Sequence, residues 1–407
     1  MIRDRNIICI ASNWFDHPTS KHHVMWRLSQ HNHVVWVNYH ASRRPQLTRG
    51  DSHLVVRRLR QIWSGPRRVA ASMDVLSPLL VPLPASRVAR FVNSQLLSRQ
   101  VLGTLRRLPQ RPTQLWLFAP DIPELIGRVP VERVVYYCVD DFAAFSGYDT
   151  ELVEHLERRT IAASDVVITT SAKLFERHRP RHPRVHHVPH GVDFEHFAGA
   201  LTLPVAAVPE DLRRVPRPVL AFMGVVGDYM DMPLLADAAR ARPEWSFVLL
   251  GDVRCNVAPL ADIPNIHLLG GRPYGLLPAY CRGFDVGLIP FRMNRLTRAV
   301  NPIKLREYLA AGLPVVSAPL DAVRRYAPFV QLAETLPEFL AACERALAMA
   351  QDGHPQARQD LVRAEGWQER VAFISHLVTE LPTTGAVCLG PTALHTSDPK
   401  TPVLSAR

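Results

Sequence analysis

The chain has 407 residues, of which 47% are hydrophobic and 21% charged, with a formal net charge of +11. Single cores stop growing at roughly 250 to 300 residues, so two packed domains are expected, and the composition excludes a disordered or fibrous chain. The six cysteines, Cys9, Cys138, Cys255, Cys281, Cys343 and Cys388, are scattered without a C-x-x-C pair, which argues against both a zinc framework and a disulfide framework.

In chain order, the apolar run "IICIA" is about half the length of a signal-peptide core, and no apolar run reaches the roughly 18 residues of a spanning helix. A cytoplasmic location is expected. A strand at 6–11 leads into "FDHPTSKHHVMWRL", 15–28, with a helix over 21–30. Thr19 or Ser20 can cap that helix, and Val24 and Leu28 supply its buried face. Adjacent on a helix, His22 and His23 diverge by about 100°, a poor arrangement for one metal ion. Lys21 and the two histidines also crowd positive charge into a first turn, where the helix dipole opposes it. An anionic ligand would relieve that cost, with His23 the better candidate for contact and His22 the better candidate for a structural role.

Further strands are predicted at 33–38, 53–57, 114–118, 133–138, 166–170 and 185–188, with helices at 85–108, 150–163 and 172–178. From 41 to 111 fourteen arginines face only Asp51 and Asp74. Apolar stretches such as "VLSPLLVPLPASRVARFV" interleave with them. With few aromatics to stack on bases, this mixture suits an anionic membrane interface better than nucleic acid. The strand in "VVYYCVDDFAAFSG" ends in Asp140 and Asp141, which point to opposite sides of an extended segment. At most one can serve as a base at the carboxyl edge of the sheet, the other reading being a helix cap or a structural hydrogen bond. In "VHHVPHGVDFEHF" the expected turn has Gly191 at positive φ and Asp193 as a cap, and His190 opens the option of a pH-dependent contact.

The segment 201–218, with four prolines and no periodicity, reads as a linker. Beyond it come strands at 219–223, 246–250, 266–269, 286–289 and 315–317, and helices at 232–242, 274–282, 304–311 and 336–349. A last helix over 367–381 is expected to pack back toward the first domain, and the tail 382–407 reads as disordered. The expected fold class is therefore α/β, with two doubly wound, Rossmann-like domains, 1–200 and 219–366, facing a cleft. Such domains bind ligands beyond the carboxyl ends of their strands. In "NPIKLREYLAAGLPVVSAPL", 301–320, Pro302 opens a helix and Gly312 stops it. Lys304 at that N-terminus makes a phosphate site, and Glu307, one turn on, can accept hydrogen bonds from a ribose. The plainer reading is a surface ion pair on a well-capped helix.

Together with "LGGRPYGLLPAYCRGFDVGLIPF", 269–291, these motifs resemble the GT-B fold glycosyltransferases. The likeness is to family-4-like bacterial enzymes of exopolysaccharide and teichuronic-acid type assembly and to xanthan-type glucuronosyltransferases. It covers most of residues 5–375. It implies a cleft between acceptor-binding and nucleotide-sugar-binding domains. Donor contacts are then implied at Gly224, at Gly271, Pro273 and Tyr274 near the base, at the loop around Thr297, and at Asn301, Pro302, Lys304 (diphosphate) and Glu307 (ribose). The first-domain match "W-x-x-x-x-x-x-K-H-H-x-M" is carried by Trp14, Lys21, His22, His23 and Met25. The resemblance implies catalytic roles among Asp141, Asp140 and His23, with Lys21, His22 and His190 lining the acceptor side.

The chain departs from the family pattern in places. Ala299 stands where many relatives carry a second glutamate eight positions before Glu307. No basic residue follows the glycine in "FMGVVGDYMDM", which offers Gly224, Asp228 and Asp231 instead, and His190 replaces the usual asparagine of V-P-N-G-V-D. No D-x-D triplet occurs, so transfer without a metal or other cofactor is expected. The implied activity moves a sugar from a nucleotide-diphosphate sugar to a saccharide or lipid-linked saccharide in cell-surface or exopolysaccharide synthesis, peripherally on the inner face of the membrane. A nucleotide-sugar epimerase of the same fold is the alternative, and the basic, partly apolar region 41–111 favours transfer over it. Nucleic acid is not expected as a partner, since zinc-finger spacing, RNA-recognition aromatics and basic heptads are all missing.

Overall fold

A computed structural model describes residues 1–39, 65–81, 83–327 and 329–380. The strand expected at 53–57 and the tail 382–407 lie outside the described residues. Two sheets form the frame. The first has eight strands in the order β3-β4-β2-β1-β5-β6-β7-β8. These are β1 Asn6–Ala11, β2 His33–Asn38, β3 Arg67–Ala70, β4 Met73–Leu76, β5 Thr113–Leu117, β6 Arg133–Cys138, β7 Val166–Thr169 and β8 Val185–His187. Strands β1, β2, β4, β6 and β7 are buried at every residue. They read as continuous apolar runs because helices cover both faces of a parallel sheet.

The hairpin β3–β4 was not expected. It is the antiparallel edge of an otherwise parallel sheet, and the arginine run around it masks its short pattern. Asp74 on β4 is held there by Arg68 Nε at 3.1 Å and His33 Nε2 at 2.8 Å.

The second sheet is parallel throughout, in the order β11-β10-β9-β12-β13-β14. Its strands are β9 Val219–Met223, β10 Ser246–Leu250, β11 Ile266–Leu268, β12 Val286–Ile289, β13 Val315–Ser317 and β14 Val330–Leu332. The order reverses between β9 and β12, the topological switch point where doubly wound folds bind ligands. Strand β14 and the helices Arg295–Arg298 and Pro355–Arg363 went unforeseen. No described helix is long and apolar enough to cross a membrane.

The segment 201–218 contains the one-turn helix Glu210–Arg213, and Val208, Leu212 and Val215 pack into the second core together with Phe194 and Phe197. This stretch is part of the second domain's packing, not a bare tether. In return, Trp367, Val371, Ile374 and Val378 of the helix Trp367–Thr379 lie in the first domain's core.

The chain thus crosses between the domains twice, and the two crossings are bonded to each other. Val192 N donates to Glu365 O at 3.0 Å, and Trp367 N donates to Val192 O at 3.2 Å. Glu365 is gripped by Arg306 Nε and Arg325 Nη2, each at 2.6 Å, and by the Tyr326 hydroxyl at 2.9 Å. Gly191 is not in the positive-φ region. It is glycine because a Cβ there would lie 2.8 Å from Trp367 Cδ2 and 3.0 Å from Trp367 Cα. Gly191→Ala should therefore push the crossings apart and lower unfolding free energy by about 1–3 kcal/mol. Denaturant titration followed by Trp fluorescence reads this, and an unchanged midpoint would refute the packing argument.

Candidate active site

Asp140 and Asp141 follow β6 at its carboxyl end and are sorted by alternation. Asp141 is buried and accepts Arg177 Nη1 at 2.6 Å and Arg295 Nε at 2.8 Å. Arg295 belongs to the second domain, and its Nη2 also reaches Glu154 at 2.6 Å. A carboxylate saturated by two guanidiniums is unsuited to proton abstraction, so the structure corrects the catalytic expectation for Asp141: it anchors the two domains. Asp140 points the other way, to the cleft floor. Burial pushes its carboxyl up to about 7, against the downward pull of Lys21 and with a further push from Asp141. Burial lowers the Lys21 ammonium in turn, while Asp140 supports its charge. Across the cleft, Tyr229 on the loop after β9 is raised chiefly by burial, with Asp140 among the charges that reach it.

The three histidines of interest are all buried and lowered by burial. His22 falls to about 3. Its Nδ1 accepts from Thr19 N at 3.0 Å, which completes the helix cap, and its ring stacks on Trp36 at 4.8 Å. It therefore holds the helix Ser20–Ser29 in place, and its expected place on the acceptor side is corrected to a structural one. His23, lowered to about 4, stacks flat on Trp367 at 5.2 Å and approaches Tyr274 of the second domain at 5.7 Å. It sits in the domain seam. His190 is lowered to about 3 and is buried near Arg306 and Arg370. Burial and the two neighbouring guanidiniums favour its neutral form.

On the opposite wall, the helix Ile303–Ala310 begins at Pro302 with no side-chain cap. Its first N–H groups are therefore free of side-chain partners. Lys304 extends from this end over the carboxyl terminus of β9. A Cβ at Gly224, whose φ is +145°, would collide with Lys304 Cε and lie 2.6 Å from Nζ. Glu307 is nearly enclosed; burial raises its carboxyl, Lys304 lowers it and Asp193 raises it further. Tyr274, just after Pro273, is pushed up by burial and by Glu307 and Asp193. A side chain at Gly271 would collide with Asp252, and its Cβ would lie 3.6 Å from His17 Nε2 of the first domain. Lys304, Glu307, Tyr274, Gly224 and Gly271 thus share one wall.

Two other expected donor contacts are not open. Thr297 is buried in a capping box, with its N–H on Asn294 Oδ1 at 3.0 Å and its hydroxyl accepting from Asn294 N at 2.9 Å. Asn301 donates Nδ2 to Thr170 O in the first domain at 2.7 Å and accepts Arg306 Nη1 at 2.8 Å. Both are corrected to structural positions, because motif spacing places a residue on a loop without orienting its side chain. Asp193 makes no cap hydrogen bond either and instead faces Arg27 at 3.7 Å. Asp231 caps the helix Met232–Ala241 through Leu234 N at 3.1 Å.

Sequence reading missed His17 and Asp252, lone polar residues in loops, and Arg295, which opens a one-turn helix. It singles out Asp193 in the V-P-H-G-V-D motif, but as a cap and not as a partner of Arg27. Among the described residues, Cys138, Glu157 and His178 bring three metal-type ligand atoms within 4.8 Å of one another. They lie within the first domain, where the Tyr136 hydroxyl already donates to Glu157 Oε1 at 2.7 Å.

Comparison with known proteins finds relatives of the same fold. No family model matches the chain. TuaH of Bacillus subtilis (strain 168), provisionally described as a teichuronic acid biosynthesis glycosyltransferase, is 27% identical over 274 residues, 62% of this chain and 68% of its own. Sucrose-phosphate synthase from Thermosynechococcus elongatus superposes with a TM-score of 0.64 at 13% identity, covering 92% of this chain and 98% of the other. HepE of Anabaena, solved in complex with UDP and glucose, gives 0.64 at 11% identity, covering 92% and 100%. The chain has the two-domain GT-B fold of these proteins.

In this fold the raised Asp140 carboxyl carries a cost. A carboxyl whose folded pKa exceeds its unfolded value binds more protons when folded, so its contribution to stability falls as pH rises from about 4 to about 7. Asp140→Asn, which mimics the protonated form, should match the parent at pH 4 and become the more stable of the two by pH 8. Urea titrations at both pH values test this, and a stability difference independent of pH would overturn the assignment.

Proposed function

We propose that this protein transfers a sugar from a UDP-sugar to a saccharide acceptor, with Asp140 as the base and without a metal ion. The observation that carries the reading is the pairing across one cleft of an uncapped helix N-terminus bearing Lys304 and Glu307 with a carboxyl held near neutrality at Asp140. Lys304 and the N–H groups after Pro302 would take up the charge of the leaving diphosphate, where preorganised donors act most strongly. Glu307, enclosed beside Lys304, would accept hydrogen bonds from the ribose hydroxyls, and Tyr274 would close over the nucleotide. Asp140 would remove the proton of the incoming acceptor hydroxyl; a base with a pKa near the working pH is well matched to that step.

UDP is favoured by HepE, which was solved with UDP and glucose. TuaH supports an acceptor belonging to a surface polysaccharide. The reading without metal rests on the absence of a D-x-D triplet and on the cationic and N–H donors available for the leaving group. A lipid-linked form of the acceptor fits the arginine-rich region 41–111.

Purified protein incubated with UDP-, GDP- and dTDP-sugars and a membrane extract should release UDP from a UDP-sugar. Lys304→Ala should cut turnover on the order of 100-fold or more with an unchanged fold, and full activity in that variant would sink the site. The pH profile gives a separate check: kcat/KM should rise with pH to a plateau above about 7. Lys21→Met, by removing the charge that pulls Asp140 down, should move that limb toward higher pH. A limb that stays in place would remove Asp140 from the mechanism.

A further inference from the structure

The helix Arg87–Leu105 is turned inside out at its start. It buries Asn93, Ser94, Ser98 and Thr104, yet Val88 is 73% exposed and Phe91 53% exposed, with Val92 beside them. The segment before it adds Leu79 and Leu83, 55% and 53% exposed. The buried polar residues hold this display in place. Asn93 brackets Val81, accepting from its N–H at 2.7 Å and donating to its carbonyl at 2.9 Å, and Arg90 Nη1 donates to Pro84 O at 2.8 Å. Five large apolar side chains are thus presented by one clamped loop and helix start, where soluble surfaces scatter such residues singly.

Around this tip the exposed charge is mainly basic, the nearby Glu124 being taken up by Arg90 at 3.6 Å and Arg159 at 2.8 Å. Between Asp74 and Asp121 the sequence has no acidic residue and six arginines: Arg87, Arg90, Arg99, Arg106, Arg107 and Arg111. Arg87, Arg99, Arg106 and Arg107 are exposed, and Arg128 lies 5.2 Å over the Phe91 ring. Positions 88, 92, 95 and 99 fall on one helical stripe, apolar at its beginning and basic farther on. We propose that this face docks on an anionic lipid bilayer, with Leu79, Leu83, Val88, Phe91 and Val92 entering the interface and the arginines pairing with headgroup phosphates.

Charge selects this occupant. A second copy meeting the face about a two-fold axis would set arginine against arginine, and a nucleic acid would leave the aliphatic tip without a partner. The loop Ser77–Leu83 follows the carboxyl end of β4, the same edge of the sheet that carries Asp140. Docking would thus bring that edge to the membrane surface, where a lipid-linked acceptor resides. The binding itself does not depend on the transferase reading.

The test is co-sedimentation of the full-length protein with phosphatidylcholine vesicles containing about 30% phosphatidylglycerol, or none. The expected result is partition onto the anionic vesicles that is about ten-fold weaker on neutral ones and weakened by salt. Val88→Glu with Phe91→Glu should abolish it, and Arg99→Glu with Arg106→Glu should weaken it. UDP binding and the unfolding midpoint should stay at parental values in both variants, since these side chains point to solvent. Equal partition of the Val88/Phe91 variant, a dimer by light scattering that this variant loses, or nucleic-acid retention without vesicle binding would each overturn the proposal. Loss of UDP binding by the parent with vesicle binding intact would instead overturn the donor reading alone.

Discussion

Two guanidinium groups, one from each domain, converge on the buried carboxylate of Asp141. Removing Asp141 would leave both guanidiniums without their shared counter-charge, at a cost that their partial exposure to solvent reduces. The domains are therefore coupled at the point where β6 delivers its chain to the cleft. Because successive side chains of an extended segment diverge, fixing Asp141 also aims Asp140 the other way, toward Lys21 and the far wall. One ion-pair cluster thus joins the domains and orients the candidate base.

The second coupling is the double crossing. Trp367 fills the space that Gly191 leaves, and Glu365 is held by Arg306 and Arg325 from the second domain. The helix that follows is embedded in the first domain's core. His23 stacks on the same tryptophan and reaches Tyr274. A residue read as a ligand contact from its place in a motif is thereby part of the seam between the two walls of the cleft.

Most of the frame was legible. Strands β1, β2, β5, β6, β7, β9, β10, β12 and β13 are apolar runs long or regular enough to stand out, since a parallel sheet covered on both faces demands continuous burial. The hairpin β3–β4 and strand β14 escaped because Arg67, Arg68, Asp74 and Gln331 interrupt their few apolar residues, whereas equally short strands such as β12 are less broken. Lys304 and Glu307 were legible because a proline-opened helix places both by local geometry. Thr297 and Asn301 were not, because their side chains turn inward to cap a helix and to reach Thr170 across the domain boundary.

By itself the sequence determined the two-domain α/β plan, the proline-opened helix that carries Lys304 and Glu307, and the pair of carboxyls at the end of β6. These follow from hydrophobic period, helix-start chemistry and strand alternation, all of which act over a few residues. Which aspartate faces the cleft, why Gly191 is glycine, and which histidines are locked away were decided only by the tertiary structure. Each depends on a partner distant in the chain: Arg295 for Asp141, Trp367 for Gly191 and His23, and Trp36 for His22. No local pattern encodes the direction of a side chain when the group that claims it arrives from another domain.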